Sequence, residues 1–173
     1  MNDLQLNGMI PNLTHLNCRK ELHGEDLVLA VDLAFMLTRK ASPMAYDMIS
    51  ELVLGQPDSG ILDRANEPPA AETIEFLASI ASAVKFERQF ENMRVSMRQG
   101  SRKLGVLGHA VVDKFALIKA DQAITFRVRG QIDHASIGRF AAAMRESISM
   151  DISPAQTELE LDDAADTQDS SET

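Results

Sequence analysis

The stretch LTHLNCRKELHGEDLVLAVDLAFML, which runs from Leu13 to Leu37, decides the fold class of this chain. In its second half an apolar residue recurs at every second position from Leu27 onward, so one face of an extended strand is wholly apolar. The first half is patterned as a pairing strand, and the polar run at 23–26 is typical of a turn. We therefore predict a β-hairpin with one buried face at the centre of the fold.

Alternating apolar and polar residues return downstream and predict two more hairpins. The first hairpin pairs residues 84–88 with 93–98 through a turn at Glu91-Asn92. The second pairs residues 111–119 with 123–129 through a turn at 120–122. Between the two hairpins, residues 100–108 are punctuated by glycines and carry basic side chains, which favours a loop. Residues 1–12 suit either an entry arm or a short first strand, and a strand at 150–152 closes the predicted sheet.

Helical spacing of apolar residues predicts two helices. The first begins with Ser42 as its cap and Pro43 in its first turn, and it ends before Gly55. The second spans residues 136–148. Residues 71–84 suit either a helix, by propensity, or a strand, by alternation.

Together these elements predict an α+β, β-rich fold. The sheet is expected to be an antiparallel sheet, a sandwich or a partly open barrel, with one or two packed helices. Residues 1–154 form a single domain in this prediction. Residues 155–173 contain seven acidic side chains and almost nothing to bury, which predicts a disordered acidic tail.

Composition narrows the cellular setting. The single cysteine, Cys18, excludes an intramolecular disulfide and fits a reducing compartment. No apolar run approaches the roughly 20 residues of a membrane span, and residues 1–8 lack the pattern of a secretion signal. We therefore expect a soluble, cytoplasmic protein with no membrane partner.

Charge is distributed unevenly along the chain, whose net charge is -9. Residues 1–83 and 155–173 each sum to -7, whereas residues 84–130 hold ten bases against four acids. An acidic protein can therefore still carry a basic surface.

A basic sheet face is the strongest functional signal in the sequence. If the predicted strands are neighbours, their cations converge and suit the binding of phosphate groups. The candidate nucleic-acid-binding residues are Arg94, Arg98, Arg102, Lys103, Arg127 and Arg129. The alternative interpretation is a solvated face whose cations pair with the protein's own acids. The acidic tail is also open to two interpretations, because it would either compete with nucleic acid for this face or serve only solubility.

Signals for catalysis and for metal binding are poor. The four histidines are scattered, and no pair has helical ligand spacing. His23 lies beside Glu25 and Asp26, but such residues in a turn are far more often solvated turn formers. No nucleophile lies in a recognisable motif, so we predict neither enzyme activity nor a cofactor.

The residues NCRKELHGEDLVLAVD, from Asn17 to Asp32, resemble the opening of a family of small phage-encoded and prophage-encoded proteins. Members of that family show an Asn-x-Arg-x-Glu-x-His-Gly pattern followed by an alternating strand. The resemblance returns at 112–115, at 124–128 and at 137–140, and the chain departs from the pattern at 71–84. It implies a mostly β, non-enzymatic product of a phage early region, which acts in the bacterial host cytoplasm in DNA replication, recombination or host takeover.

These observations lead to one main hypothesis and two alternatives. The main hypothesis is an accessory protein of phage DNA metabolism that binds single-stranded DNA through the basic face, as a homo-oligomer. The first alternative is a protein-binding module that inhibits or redirects a host factor, including a factor of host defence. The second is a component of phage assembly that forms a large homo-oligomer.

Overall fold

The computed structural model of this chain describes residues 4–23, 26–54, 83–118 and 120–155. The described elements, in chain order, are β1 (Leu6–Met9), β2 (Asn12–His23), β3 (Asp26–Thr38), α1 (Pro43–Leu54), β4 (Val84–Phe86), β5 (Phe90–Gln99), β6 (Arg102–Ile118), β7 (Ala123–Ile132), α2 (His134–Ala142) and β8 (Ser149–Pro154). The ambiguous segment 71–84 lies outside the described residues except at its end, and so does the acidic tail beyond residue 155.

The strands form one antiparallel sheet in the order β1-β8-β5-β6-β7-β3-β2, and β4 pairs with β6 beside this path. The strands β1 and β2 lie at opposite ends of that order, although only Ile10 and Pro11 separate them. Because this connection spans at most about 11 Å, the sheet must curl until its two ends approach each other. Backbone hydrogen bonds join the ends there: the N–H of Leu13 donates to the oxygen of Glu146, and the N–H of Ile148 donates to that of Pro11. The predicted β-rich fold with two helices is confirmed.

The central hairpin is also confirmed. Its strands β2 and β3 pair antiparallel, with Leu16 opposite Leu33 and Cys18 opposite Val31. On β3, the alternating apolar residues from Leu29 to Leu37 are all buried. Burial of this alternating set fixes the register, because a slip by one residue would expose every member of it.

The core lies on the concave side of the curled sheet, where α1 and α2 also pack. Three phenylalanines form its centre: the rings of Phe35 and Phe126 stack at 5.4 Å, and those of Phe126 and Phe115 at 6.1 Å. The helix α1 contributes Ile49 and Val53 to this core. Every phenylalanine in the described residues is buried or partly buried in the core, so aromatic rings are used for packing.

The helix α1 begins and ends as the sequence predicted, whereas α2 is shorter than predicted. Asp133 is the N-cap of α2, and its carboxylate accepts hydrogen bonds from the N–H and the hydroxyl of Ser136. The helix ends at Ala142 rather than Ile148, because the following residues pair with β2 instead: the N–H of Arg145 donates to the oxygen of Leu13 at 2.7 Å. Local periodicity does not show this long-range pairing.

The predicted hairpin of 84–88 with 93–98 is wrong. The strand β4 pairs with β6, and Asn92, which was placed in a turn, is a bulged residue within β5 with a φ of 54°. The actual turn lies at Gly100, with a φ of 59°, and it joins β5 to β6. The predicted loop at 100–108 is therefore mostly strand. The hairpin of 111–119 with 123–129 is confirmed as part of β6 and β7.

Two glycines of β6 that lie in the predicted loop differ in their surroundings. A Cβ atom added at Gly105 would lie 3.0 Å from Cε2 of Phe140, whereas one added at Gly108 would meet nothing within 4 Å. We expect Gly105→Ala to lower the free energy of unfolding by about 1–3 kcal/mol, because Phe140 is fully buried and cannot move freely. Chemical denaturation measures this, with Gly108→Ala as the matched control. Equal stability of the two variants would contradict this packing.

Candidate nucleic-acid interface

The outer face is the sheet surface opposite the core, and it carries most of the predicted cations. On β5, Met93, Val95 and Met97 are buried, whereas Arg94 and Arg98 between and beside them are exposed. This is the alternation that the sequence predicted for this strand. The strands β5, β6 and β7 are direct neighbours, so their outward residues share one surface.

Two cations lie at the end of the β5–β6 hairpin, and a third lies further along the same face. Arg98 lies directly opposite Lys103 on the neighbouring strand, so the two side chains share a face. Arg94 lies on the same face, about 13 Å further along β5. We call Arg94, Arg98 and Lys103 the hairpin cations. All three are exposed.

The hairpin cations are weakly paired or unpaired. Arg98 is 3.7 Å from Asp151, and the two side chains are 57% and 36% exposed, so this contact contributes little. Within the part of the chain that the structure describes, Arg94 and Lys103 have no acidic group within 4 Å.

Arg102 is separated from this cluster. It lies opposite Gln99, one position on from the Arg98–Lys103 pair, and therefore points to the other side of the hairpin. The side chain of Gln99 bonds there to Glu146, in the segment that follows α2. Arg102 is exposed, but it does not extend the outer face.

Arg127 and Arg129 lie on the outer face, and both pair with a carboxylate of the protein itself. Nε and a terminal nitrogen of Arg127 donate to the two oxygens of Asp113, each at 2.8 Å. Arg129 donates to Oδ2 of Asp113, also at 2.8 Å. Asp113 is only 6% exposed. These two arginines therefore match the alternative interpretation of the sequence better than the phosphate-binding one.

The surroundings of Asp113 favour its ionised form. Burial acts to raise its pKa, but the hydrogen bond from Arg127 and the charges of Arg127 and Arg129 outweigh burial. The pKa of Asp113 consequently lies below its ordinary value.

A second ion-pair group adjoins the first on the outer face. Arg19 on β2 donates to Asp32 on β3 at 2.9 Å and also pairs with Glu21. Asp32 lies opposite Arg129 in the sheet, so the two groups are contiguous. Three guanidinium groups thus face three carboxylates, so the formal charges of the described residues in these two groups balance. The outer face is therefore divided into a balanced centre and a cationic hairpin end.

A depression of about 400 Å³ lies in the balanced centre. It crosses β2, β3, β7 and β6, and its polar lining includes Arg19, Asp32, His109, Arg129 and Gln131. Its edge on β6 is a bulge at Gly108-His109, where two residues oppose the single residue Arg94 of β5. His109 has a φ of 51°, and its ring bonds to the side chain of Asn92.

Most residues that line this depression carry no functional signal in the sequence. Arg19 and Asp32 belong to the quoted opening stretch, and the register of the predicted hairpin would have placed them close together. His109 gave no usable signal, because its position depends on the bulge. Gln131 lies beyond the predicted end of its strand.

The described residues hold no group of three or more His, Cys, Asp or Glu side chains placed to bind a metal ion. None of the helices in the described ranges is long and apolar enough to cross a membrane.

Comparisons with protein-family models, with curated proteins and with solved structures gave no significant match. The resemblance to small phage proteins therefore stays a prediction.

Proposed function

We propose that this protein binds single-stranded nucleic acid through its hairpin cations, as a non-enzymatic accessory protein of phage DNA metabolism. The observation that supports this most is the exposed cluster of Arg94, Arg98 and Lys103 on one face of neighbouring strands. These side chains are available for phosphate groups because their only close acid in the described residues is Asp151.

Binding of this kind is mainly electrostatic. The described phenylalanines all pack in the core, so none of them offers a stacking platform for bases on the outer face. Neutralisation of phosphates releases counterions, so affinity falls steeply with salt. Arg127 and Arg129 contribute less than the hairpin cations, because Asp113 already compensates their charge.

The curvature of the sheet favours a single strand over a duplex. The core fills the concave side, so the outer face is convex. A duplex is stiff over about 150 base pairs and touches a convex surface over a short length. A flexible single strand follows the row of cations along β5 and β6.

The acidic segment that follows β8 is well placed to modulate this binding. The N–H of Ala155 donates to the oxygen of Asn92 at 2.8 Å, so the chain leaves the fold two residues from Arg94. Beyond that point the sequence contains seven acids and no base. We therefore include competition between this segment and nucleic acid in the proposal.

A titration with a fluorescent single-stranded oligonucleotide at about 0.05 M salt tests the proposal, because a low salt concentration strengthens phosphate contacts. We expect the full chain to bind, and a form that ends at Ala155 to bind more tightly. Absence of binding by both forms at this salt concentration would contradict the proposal. Equal affinities would remove only the role of the acidic segment.

A further inference from the structure

We infer that the depression on the outer face binds a guanine base. The inference rests on the proposed function, since the strand held by the hairpin cations is the expected source of that base. The polar groups around the depression are varied: guanidinium, carboxylate, imidazole and carboxamide.

The size and floor of the depression suit a planar base. Its volume of about 400 Å³ lies within the range of small-molecule sites. Three positions along its lining carry little or no side chain, namely Ala30, Gly108 and Gly130. The space where a Cβ of Gly108 would stand is open. A flat ligand can therefore approach the backbone of the sheet.

Two polar atoms of the lining lack a hydrogen-bond partner. Oδ1 of Asp32 and Nε of Arg129 are both shielded from solvent, and neither has a partner within the described residues. Unsatisfied buried polar atoms are costly and uncommon. The side chain of Arg19, which covers Asp32, is 50% exposed, so its displacement by a ligand costs little. Displacement of Arg19 by a ligand would therefore open an acceptor on Asp32, and Arg129, a donor, lies opposite Asp32 on the neighbouring strand.

Guanine matches this pair better than the other bases do. Its N1–H and N2–H₂ groups are adjacent donors that suit one carboxylate, here Asp32, and its O6 and N7 are acceptors for a guanidinium, here Arg129. Cytosine, thymine and adenine each present donors at one position only along the Watson–Crick edge. The exposed carboxamide of Gln131 adds a further donor and acceptor at the rim.

The depression is within reach of the same strand. Arg94 lies opposite the Gly108-His109 bulge that forms its edge. Arg129 lies two strands from Arg94, a lateral separation of about 10 Å. A nucleotide whose phosphate contacts Arg94 can therefore turn its base toward Asp32, as bases of single strands do when they are read at their edges.

Three oligonucleotides test the inference: an oligothymidylate about 12 nucleotides long, within the usual site sizes, and the same strand with one central dG or dC. We expect the full chain to bind the dG strand about ten-fold more tightly than the others. Asp32→Asn should abolish this preference, whereas binding of oligothymidylate should persist and become slightly tighter, because one negative charge that pairs with Arg19 leaves the outer face. Asp47→Asn, an identical change on α1, serves as the matched control and should keep the preference. Gln131→Ala provides a second variant and should reduce the preference.

The outcomes separate this inference from the proposed function. Equal affinity for the three strands, with oligothymidylate binding intact, would overturn the guanine site alone. If no strand binds, the proposed function fails, and guanosine monophosphate then decides the site by its effect on the backbone NMR signals of Gly108 and Gly130. Shifts at these glycines would support a mononucleotide site. Unchanged signals would overturn the inference as well.

Discussion

Replacement of Arg94, Arg98 and Lys103 together by alanine is expected to lower the affinity for a single-stranded oligonucleotide about 100-fold at about 0.1 M salt. Each phosphate contact to a single strand contributes roughly 0.7 to the slope of log affinity against log salt. Three contacts therefore contribute a factor of about 100 to the affinity at this salt concentration. The side chains are exposed, and only Arg98 has an acid nearby, at 3.7 Å. Their removal should therefore leave the fold intact. Fluorescence anisotropy measures the affinity.

The matched control removes the same number of charges from elsewhere on the surface. The control positions are exposed and are not among the hairpin cations; they are Arg39, Lys40 and Lys85. Their joint replacement by alanine should change the affinity only slightly, through the net charge. An equal loss in both triple variants would indicate general attraction and contradict a local site.

The largest effect on stability is expected at Asp113. Asp113→Asn leaves the guanidinium groups of Arg127 and Arg129 without their carboxylate. The effect is large because Asp113 is only 6% exposed. Breaking a buried ion pair costs about 3–5 kcal/mol. Because the side chain of Arg129 is 36% exposed, water compensates part of this loss, and we expect about 2–3 kcal/mol in the free energy of unfolding. Urea denaturation measures it.

The stabilisation by Asp113 should exceed that of a surface ion pair and should depend on pH. Asp47→Asn removes an exposed pair with Arg39 and should cost less than about 1 kcal/mol. The pKa of Asp113 is lowered in the folded protein, so its contribution is complete above the ordinary carboxyl pKa of about 3.9. That contribution is lost as the pH falls through the lowered value. A stability difference between wild type and Asp113→Asn that stays constant down to such acidic pH would contradict this account.

Local patterns were sufficient to predict much of the fold. Strict alternation from Leu29 to Leu37 predicted β3, because one side of that strand faces the core. The Ser42-Pro43 start predicted where α1 begins, because Pro43 suits the first helical turn. The Ser42 hydroxyl does not serve as the predicted cap, since it accepts a hydrogen bond from the N–H of Ile10 instead. Strand order could not be predicted. Pairing of β4 with β6 and of the 145–148 segment with β2 depends on residues distant in sequence.

The candidate site was predictable only in part, for a similar reason. Alternation placed Arg94 and Arg98 on one face, and the structure adds Lys103 to them through the β5–β6 register. The sequence gives no sign that a single buried carboxylate, Asp113, lies between Arg127 and Arg129, because that contact depends on the pairing of β6 with β7. A count of basic residues therefore overestimates the free positive charge of the face.

The most direct test of nucleic-acid binding by the hairpin cations is the slope of log affinity against log salt for the full chain and a single-stranded oligonucleotide. Three phosphate contacts predict a slope of about -2, and the triple alanine variant should bring it close to zero. A slope near zero for the wild type, or a slope that the triple variant leaves unchanged, would contradict the account.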